Sequence, residues 1–260
     1  MYRAVGHQAE ILKAIRTKIC LANPREALWL KETALAEEYG VSRTPIRHIL
    51  QLLANAQLLH TQTGLGTQTT VLELNELPKH FEIYGAICDI AIGVANEERA
   101  PRETILALMS VHNTLLIDED RSPEAFIDVY GRIIDAMSQM ITDPILCYAH
   151  QAAFWRLIRW RVQEVTAEVE GSWGLAASNI QSAIDAATQG TERDLLEISG
   201  RMGRSHIDRL INYYKVNGHS LLFGPHETEP HALLHTSADA ARTIAAPILE
   251  KTYDIIGMVR

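Results

Sequence analysis

The sequence lacks any apolar run that approaches the roughly 18 residues needed for a membrane-spanning helix. Its N-terminal stretch, MYRAVGHQAEIL, lacks the basic-then-apolar layout of an export signal. Cysteine is scarce: Cys20, Cys88 and Cys147 are scattered along 260 residues, which argues against a disulfide framework and a clustered zinc site. We therefore expect a cytoplasmic globular protein with reduced thiols.

Enzyme motifs are also lacking. The sequence contains no nucleophile elbow, no glycine-rich phosphate loop and no HExxH pair. We predict that the chain is not an enzyme. A helical-domain enzyme is kept as an alternative that turnover of a metabolite would reveal.

The sequence has fewer positively than negatively charged residues, and the positive ones are unevenly distributed. The net charge of the chain is −8, yet residues 1–72 carry eight Lys and Arg against five Asp and Glu, a balance of +3. The remainder has a balance of −11. This contrast favours two domains with different partners, which we place at residues 1–74 and 75–260.

The first of these domains has the pattern of a winged helix-turn-helix. Apolar residues at helical spacing predict helices at about 7–22, 31–39 and 43–54, and Gly40 supplies the tight turn before the third. Threonine- and leucine-rich runs flank Gly64-Leu65-Gly66 and predict a β-hairpin wing with a glycine turn.

The third predicted helix has two different faces. One is apolar, and the other carries Arg43 and Arg47 four residues apart, so that both project from the same side. A guanidinium group can bind guanine or phosphate, and hydroxyl and N–H groups at a helix N-terminus can bind phosphate. The predicted DNA-binding set, including the wing glycines, is Ser42, Arg43, Thr44, Arg47, His48, Gly64 and Gly66.

The stretch LAEEYGVSRTPIRHILQLL closely resembles the GntR family of bacterial transcription regulators. The resemblance covers roughly residues 7 to 72 and implies a DNA-binding winged helix. Two positions depart from the family pattern. His48 stands where an acidic residue is usual, and Gln57 stands where a glycine usually precedes the wing.

No strand signal follows Glu76, so the fold class we predict is mainly α, with an all-α C-terminal bundle. Turn and cap residues divide the bundle into helices at about 78–97, 102–117, 122–141, 144–168, 172–189 and 192–217. An additional C-terminal helix is predicted at about 237–257, and the sequence leaves open whether it packs on the bundle or on a second subunit.

This helical part resembles the FadR-like (FCD) branch of the same family. The resemblance rests on the number of helices and on two local matches, TDPIL at 142–146 and AIDAATQG followed by MGRSHIDRL. It implies a bundle that binds a small effector, such as a carboxylate metabolite, and a homodimer that reads a palindromic operator. An acyl thioester or an aromatic effector is left open.

That branch commonly holds a divalent metal through an Asp and a His four residues apart and one His on each of two later helices. Counting back from Asp143 places the first pair on Tyr130 and Ile134, and the third position falls near Ile180. Only His206 carries a ligand side chain at its position. One imidazole does not make a transition-metal site, so we predict no metal and no other cofactor.

Without a metal, an arginine is the natural partner for an effector carboxylate. Arg156 and Arg159 border the interior stripe of the helix predicted at 144–168, although arginines at such an edge also extend to solvent. His206 could equally be a core residue. The predicted effector-binding set is Tyr130, Arg156, Arg159, Asn179 and His206.

These features together predict an effector-controlled repressor of transcription. A winged-helix module that binds protein instead of DNA is the remaining alternative, because a balance of +3 is modest for a DNA-binding domain.

Overall fold

The computed structural model describes residues 2–62, 66–167, 169–204 and 207–216. Within these ranges the chain folds into ten α-helices and one small antiparallel sheet. The predicted fold class, a winged helix-turn-helix followed by an all-α bundle, is confirmed. Gly64, His206 and the predicted helix at 237–257 lie outside the described residues.

The N-terminal part, which we call the head, contains three helices and three short strands. They are α1 (Tyr2–Leu21), β1 (Trp29–Leu30), α2 (Glu32–Glu38), α3 (Arg43–Asn55), β2 (Leu59–Gln62) and β3 (Gly66–Thr69). Gly40 lies between α2 and α3 with a φ of 63°. This left-handed conformation carries no steric cost for glycine and gives the sharp turn between the two helices.

Helix α3 is held down by its apolar face. The four side chains on that face are at most 4% exposed, and each contributes about 1.5–3 kcal/mol through burial. Their spacing puts them on one side of a 3.6-residue period, so the opposite side of α3 faces outward. The buried residues are Ile46, Ile49, Leu50 and Leu53.

The sheet has the strand order β1-β3-β2, and both pairings are antiparallel. In the predicted hairpin, Leu59 pairs with Thr69 and Gln62 pairs with Gly66. The two-residue strand β1 was not predicted. It is anchored by the buried Thr69, whose hydroxyl accepts a hydrogen bond from the Leu28 amide at 2.9 Å and donates to the Glu26 carbonyl at 3.3 Å.

Gln57, which replaces the usual glycine before the wing, has a φ of 58°. It follows the end of α3, and its carbonyl accepts a hydrogen bond from the Thr70 hydroxyl at 2.9 Å. A residue with a side chain in this left-handed region carries a steric cost of about 1–2 kcal/mol that glycine does not. The chain therefore keeps the glycine-type backbone geometry without the glycine.

We expect Gln57→Gly to increase the free energy of unfolding by about 1 kcal/mol, because relief of the left-handed strain outweighs the added flexibility of the unfolded chain. Urea denaturation measures the difference. Gln51→Gly, inside α3, is the matched control and should decrease stability by about 1 kcal/mol. A lower stability of Gln57→Gly would contradict the assigned strain.

The remaining helices form the body, which begins after a single 3-10 turn at Leu74–Glu76. The predicted division between residues 74 and 75 falls within this turn and stays a prediction. None of the described helices combines the length and the apolar character required to cross a membrane. The body helices are α4 (Leu77–Val94), α5 (Arg102–Ile117), α6 (Pro123–Ser138), α7 (Pro144–Ala167), α8 (Val169–Gln189), α9 (Glu192–Arg204) and α10 (Ile207–Val216).

Helix α7 is the centre of the body. It begins at Pro144, directly after Asp143, whose Oδ1 accepts hydrogen bonds from the amides of Ile145 at 3.0 Å and Leu146 at 2.8 Å. An aspartate in this position satisfies amides that have no partner inside the helix. Beyond this cap, α7 packs against α4, α6, α8 and α10 of the body and against α1 of the head. It thus connects the two parts of the molecule.

Candidate nucleic-acid interface and effector cavity

The outer face of α3 presents a group of polar side chains to solvent. Ser42, the residue before the helix, has extended backbone angles, and its hydroxyl makes no capping hydrogen bond. Its hydroxyl and the amides of the first helical turn are thus available to an incoming phosphate group. The exposed residues of the predicted set on this face are Ser42, Arg43, Thr44, Arg47 and His48.

Arg47 forms a two-point contact with Glu32 at the start of α2. Its Nη2 donates to Oε2 at 2.9 Å and its Nε donates to Oε1 at 3.1 Å. The hydrogen bond from Arg47 lowers the pKa of Glu32 and raises the pKa of Arg47. The Arg47 side chain is nevertheless 68% exposed, so solvent screens the pair and a DNA phosphate or base can compete for the guanidinium group.

Arg43 lies one turn earlier on the same face and is also exposed. It makes no hydrogen bond or ion pair with any residue in the described part of the chain. Its positive charge contributes to the lowered pKa of Glu32, so the two guanidinium groups flank one carboxylate. On this face, Arg43 is therefore available to a DNA ligand, whereas Arg47 would first have to break its contact with Glu32.

The wing lies beside this face. Gly66, at the start of β3, has a φ of 117°, a region that residues with side chains rarely adopt. A side chain at this position would begin in van der Waals contact with the ring of Trp29, which is itself 45% exposed. Gly64, the other predicted wing residue, is outside the described residues, so its contribution stays a prediction.

The sequence of the head is similar to that of a known protein family. Residues 8–68 match the family described as "Bacterial regulatory proteins, gntR family". These residues are a GntR-family DNA-binding domain. The match covers the GntR domain alone; the body is compared through its fold.

Solved structures of bacterial regulators resemble the chain beyond the GntR domain. E. coli McbR/YncC superposes with a TM-score of 0.56 at 16% sequence identity, covering 80% of this chain and 98% of that one. A GntR transcriptional regulator of Rhodococcus sp. RHA1 superposes at 0.49 and 11% identity, covering 80% and 99%. At 16% identity, the resemblance to McbR/YncC shows a similar fold alone. Among curated proteins, no sequence matches the chain.

The body contains a small internal cavity next to α7. Its volume is about 20 Å³, room for about one water molecule, and aromatic and aliphatic side chains form most of its wall. Four side chains with polar groups also line it, those of Tyr84, Tyr130, Arg161 and Ser199. Of the predicted effector residues that the structure describes, Tyr130 lines this cavity.

Arg161 is the most unusual member of the wall. It is 6% exposed, its Nη2 donates to the Tyr130 hydroxyl at 3.1 Å, and its guanidinium carbon lies 4.4 Å from the centre of the Tyr130 ring. Its Nε has no hydrogen-bond partner, and no described carboxylate forms an ion pair with it. A buried positive charge is thus stabilised by a phenol and by ring faces instead of by a counter-ion.

A buried polar network borders the same cavity. The Tyr84 hydroxyl lies 2.8 Å from Ser199 Oγ and 3.3 Å from His150 Nε2, while His150 Nδ1 lies 3.0 Å from Ser138 Oγ. Burial lowers the pKa of His150 to about 4, so its imidazole is neutral at pH 7. The network therefore places hydroxyl groups and a neutral imidazole near Arg161, and it adds no charge there.

Sequence reasoning missed Arg161 and His150, although a signal was present. Both lie on a buried stripe of α7 that runs through His150, Phe154, Ile158 and Arg161 at spacings of four, four and three. The sequence-based choice followed the neighbouring stripe through Arg156 and Arg159. One polar residue at each end of an apolar stripe is the pattern that would have identified the cavity wall.

The structure places three other predicted effector residues, Arg156, Arg159 and Asn179, outside this cavity. Arg159 is fully buried but points toward the head, where its Nη1 donates to the Thr70 carbonyl at 2.6 Å. Arg156 is partly buried near His80, and burial lowers its pKa, with a smaller opposing effect from Glu76. Asn179, on α8, is half-buried with an amide nitrogen that lacks a partner.

The absence of a metal site stays a prediction. No group of three or more metal-ligating side chains occurs among the described residues. Tyr130 and Ile134, at the positions where the resemblance would place the first two ligands, are buried in the core. His206 is not among the residues described.

We expect Arg43→Ala to weaken binding to a specific DNA duplex by about 1–3 kcal/mol, the range for loss of one good base contact. Fluorescence anisotropy with a duplex selected from a random-sequence pool measures the change. Arg201→Ala removes another exposed guanidinium group, from α9, and should leave the affinity unaltered. Equal affinities of Arg43→Ala and the wild type would place Arg43 outside the interface.

We expect Glu32→Gln to strengthen binding to the same duplex several-fold, because it frees Arg47 and removes a negative charge near the DNA. The dissociation constant should decrease most at low salt, where charge repulsion is least screened. Glu38→Gln, at the other end of α2 and paired with Lys18, is the control. Weaker binding of Glu32→Gln would show instead that Glu32 orients Arg47 on the DNA.

Proposed function

We propose that the protein is a homodimeric, effector-controlled repressor of transcription, of the FadR-like (FCD) branch of the GntR family. The observation that carries this proposal is the exposed outer face of α3, with Arg43 and Arg47 on a domain of the GntR family. A regulator of this kind acts on DNA in the cytoplasm and has no need of catalytic activity.

We propose a homodimer because one recognition helix contacts too few base pairs to specify an operator. A single head contacts a few base pairs, whereas two heads related by a twofold axis read half-sites about one helical turn apart. Helix α5 offers an exposed apolar stripe that a second copy could cover. Its members are Leu106, Met109, Leu116 and Ile117, at exposures of 53%, 44%, 68% and 82%.

The experiment that tests DNA binding is a selection from random duplexes followed by a salt titration of the enriched sequence. A regulator selects a palindrome and binds it with an affinity that decreases steeply as salt increases, because phosphate contacts release counterions. Failure to enrich any sequence would favour the protein-binding alternative.

We further propose that the effector is a small anion with an apolar body that binds at Arg161. A buried charge without a counter-ion is costly, and a ligand carboxylate would supply both the missing charge and acceptors for the guanidinium N–H groups. The hydroxyls of Tyr84 and Ser199 stand nearby to hydrogen-bond the same ligand. The aromatic and aliphatic wall fits the remainder of the molecule.

The cavity must expand to admit such a ligand. A volume of about 20 Å³ is far below the several hundred Å³ of ordinary ligand pockets. Met137 and Met202 form part of the wall, and methionine side chains repack easily because they are unbranched and flexible. Their displacement is the conformational change through which the ligand would act on the body.

We expect at least one member of a panel of benzoate, phenylacetate and hexanoate to raise the melting temperature of the wild type by a few degrees near saturation. Arg161→Met should abolish the shift, because it keeps the apolar stem and removes the charge. Arg156→Met, a substitution on the same helix outside the cavity, should retain it. The amide of the active compound should be inactive. An equal shift in Arg161→Met would exclude Arg161 as the anchor.

A further inference from the structure

Three consecutive residues of α7 contact three different parts of the molecule. Arg159 donates to the Thr70 carbonyl in the head at 2.6 Å, and Arg161 donates to the Tyr130 hydroxyl at the cavity at 3.1 Å. Between them, the Trp160 indole donates to His80 Nδ1 of α4 at 3.1 Å. Because a helix moves as a rigid rod, a displacement of α7 at the cavity also reaches the head.

The contact at Thr70 is well placed to control the DNA-binding surface. Thr70 directly follows β3, its amide donates to the Leu58 carbonyl at 3.0 Å, and its hydroxyl donates to the Gln57 carbonyl at 2.9 Å. Gln57 in turn lies just beyond the end of α3. Arg159 therefore binds the junction at which the wing and the recognition helix meet.

At this junction, most N–H groups of the Arg159 guanidinium lack a hydrogen-bond acceptor in the described part of the chain. The side chain is fully buried, yet within the described structure its Nε and Nη2 have no hydrogen-bond partner. Burial lowers its pKa to about 10, the nearby Cys20 of α1 opposes this shift, and the charge of Arg156 adds to it. Because the buried Arg159 cation has a single described backbone acceptor, a small movement of α7 can break this hydrogen bond and let Arg159 bind a different acceptor.

Other contacts between head and body differ in character. Lys13 of α1 forms an ion pair with Asp128 of α6, but the two side chains are 57% and 31% exposed. The Arg16 guanidinium carbon lies 4.0 Å from the centre of the Trp155 ring at a cleft that is open to solvent. The exposed Lys13–Asp128 pair is screened by solvent, and the contact of Arg16 with the buried Trp155 ring lacks the directional geometry of a hydrogen bond. Neither is therefore as well suited as the Arg159–Thr70 hydrogen bond to transmit a change at the cavity.

We propose that Arg159 is the positioning residue that couples the cavity at Arg161 to the wing and recognition helix of the head. The coupling rests on the proposed function, since it has a consequence only if the head binds DNA. When an anion binds Arg161, α7 shifts, the single Arg159–Thr70 contact is exchanged, and the wing moves relative to α3. This changes DNA affinity without any ligand contact to the head.

A double-mutant cycle tests the coupling without knowledge of the natural effector. The dissociation constant for the selected duplex is measured for the wild type, Arg161→Met, Arg159→Met and the double variant. Arg161→Met should change it by about five-fold or more, the lower range of allosteric effects. In the Arg159→Met background the same substitution should change it by less than about two-fold.

Two further substitutions serve as controls. Tyr130→Phe removes only the hydroxyl that Arg161 binds and replaces Arg161→Met in the cycle if that variant does not fold. Arg156→Met, paired with the cavity variant, should give additive effects, since Arg156 hydrogen-bonds no residue in the described head. If Arg159 had only a structural role, Arg159→Met would alter stability and DNA affinity. Its effect on the dissociation constant would then simply add to that of the cavity variant.

Labelling of Cys20 gives a second measurement. This thiol is fully buried near Arg159, and burial raises its pKa to about 12, so it should react slowly with a maleimide while the contact is intact. Mass spectrometry should show faster labelling of Cys20 in Arg159→Met, because the gain in exposure of the thiol outweighs the loss of the Arg159 charge, which lowers the Cys20 pKa in the wild type, with Cys88 as the buried reference.

The outcomes separate the coupling from the proposed function. Additive effects in the Arg159 cycle, or no effect of the cavity variants in either background, would overturn the coupling while DNA binding by the wild type stands. Absence of salt-dependent binding to any selected duplex would overturn the proposed function, and the coupling with it.

Discussion

The burial of charged side chains along α7 is the constraint on which the rest of the structure depends. Arg159, Arg161 and Glu164 are at most 6% exposed, in a helix that packs against five others. Glu164 forms an ion pair with Arg209 of α10, whereas the two arginines have no carboxylate partner among the described residues. Apolar residues of similar size would make a more stable core. Their burial therefore has a cost in stability that the proposed ligand binding at α7 would explain.

The outer face of α3 in the head shows the opposite arrangement of charge, at the surface instead of in the core. Its arginines lie at the surface of a chain with a net charge of −8, so binding depends on the local arrangement of a few cations and not on the overall field. Glu32 lies between them and lowers the local positive charge in the free protein. Under the proposed function, such a surface would bind non-specific DNA weakly and would discriminate through individual contacts, as a regulator that must find one site among many requires.

The head could be predicted from sequence because its information is local. The apolar spacing of α3, the turn at Gly40 and the glycines around the wing each act over a few residues. Strand β1 could not be predicted, since a two-residue strand has no periodicity and its partner lies some forty residues away. Gln57 was predictable only in part. The sequence shows that it replaces the usual glycine, whereas the structure is needed to show that the backbone keeps the left-handed geometry.

The cavity was harder to predict, because adjacent stripes of α7 are all apolar. Residues such as Arg156, Arg159 and Arg161 differ by two or three positions, and a small rotation of the helix decides which of them faces inward. Tyr130 was identified through the resemblance, and the structure places it on the wall. The side chains that accompany it are brought together from α4, α6, α7 and α9, a combination that no local pattern encodes.

The small size of the cavity has a kinetic consequence. Because about 20 Å³ admits a single water molecule, the proposed effector would enter only when the bundle opens. The apparent affinity is reduced by the fraction of molecules that are open, and the entry rate is set by that opening instead of by diffusion. Once the bundle closes around it, the ligand also leaves slowly. Such a regulator would respond to the sustained level of a metabolite and filter out brief fluctuations.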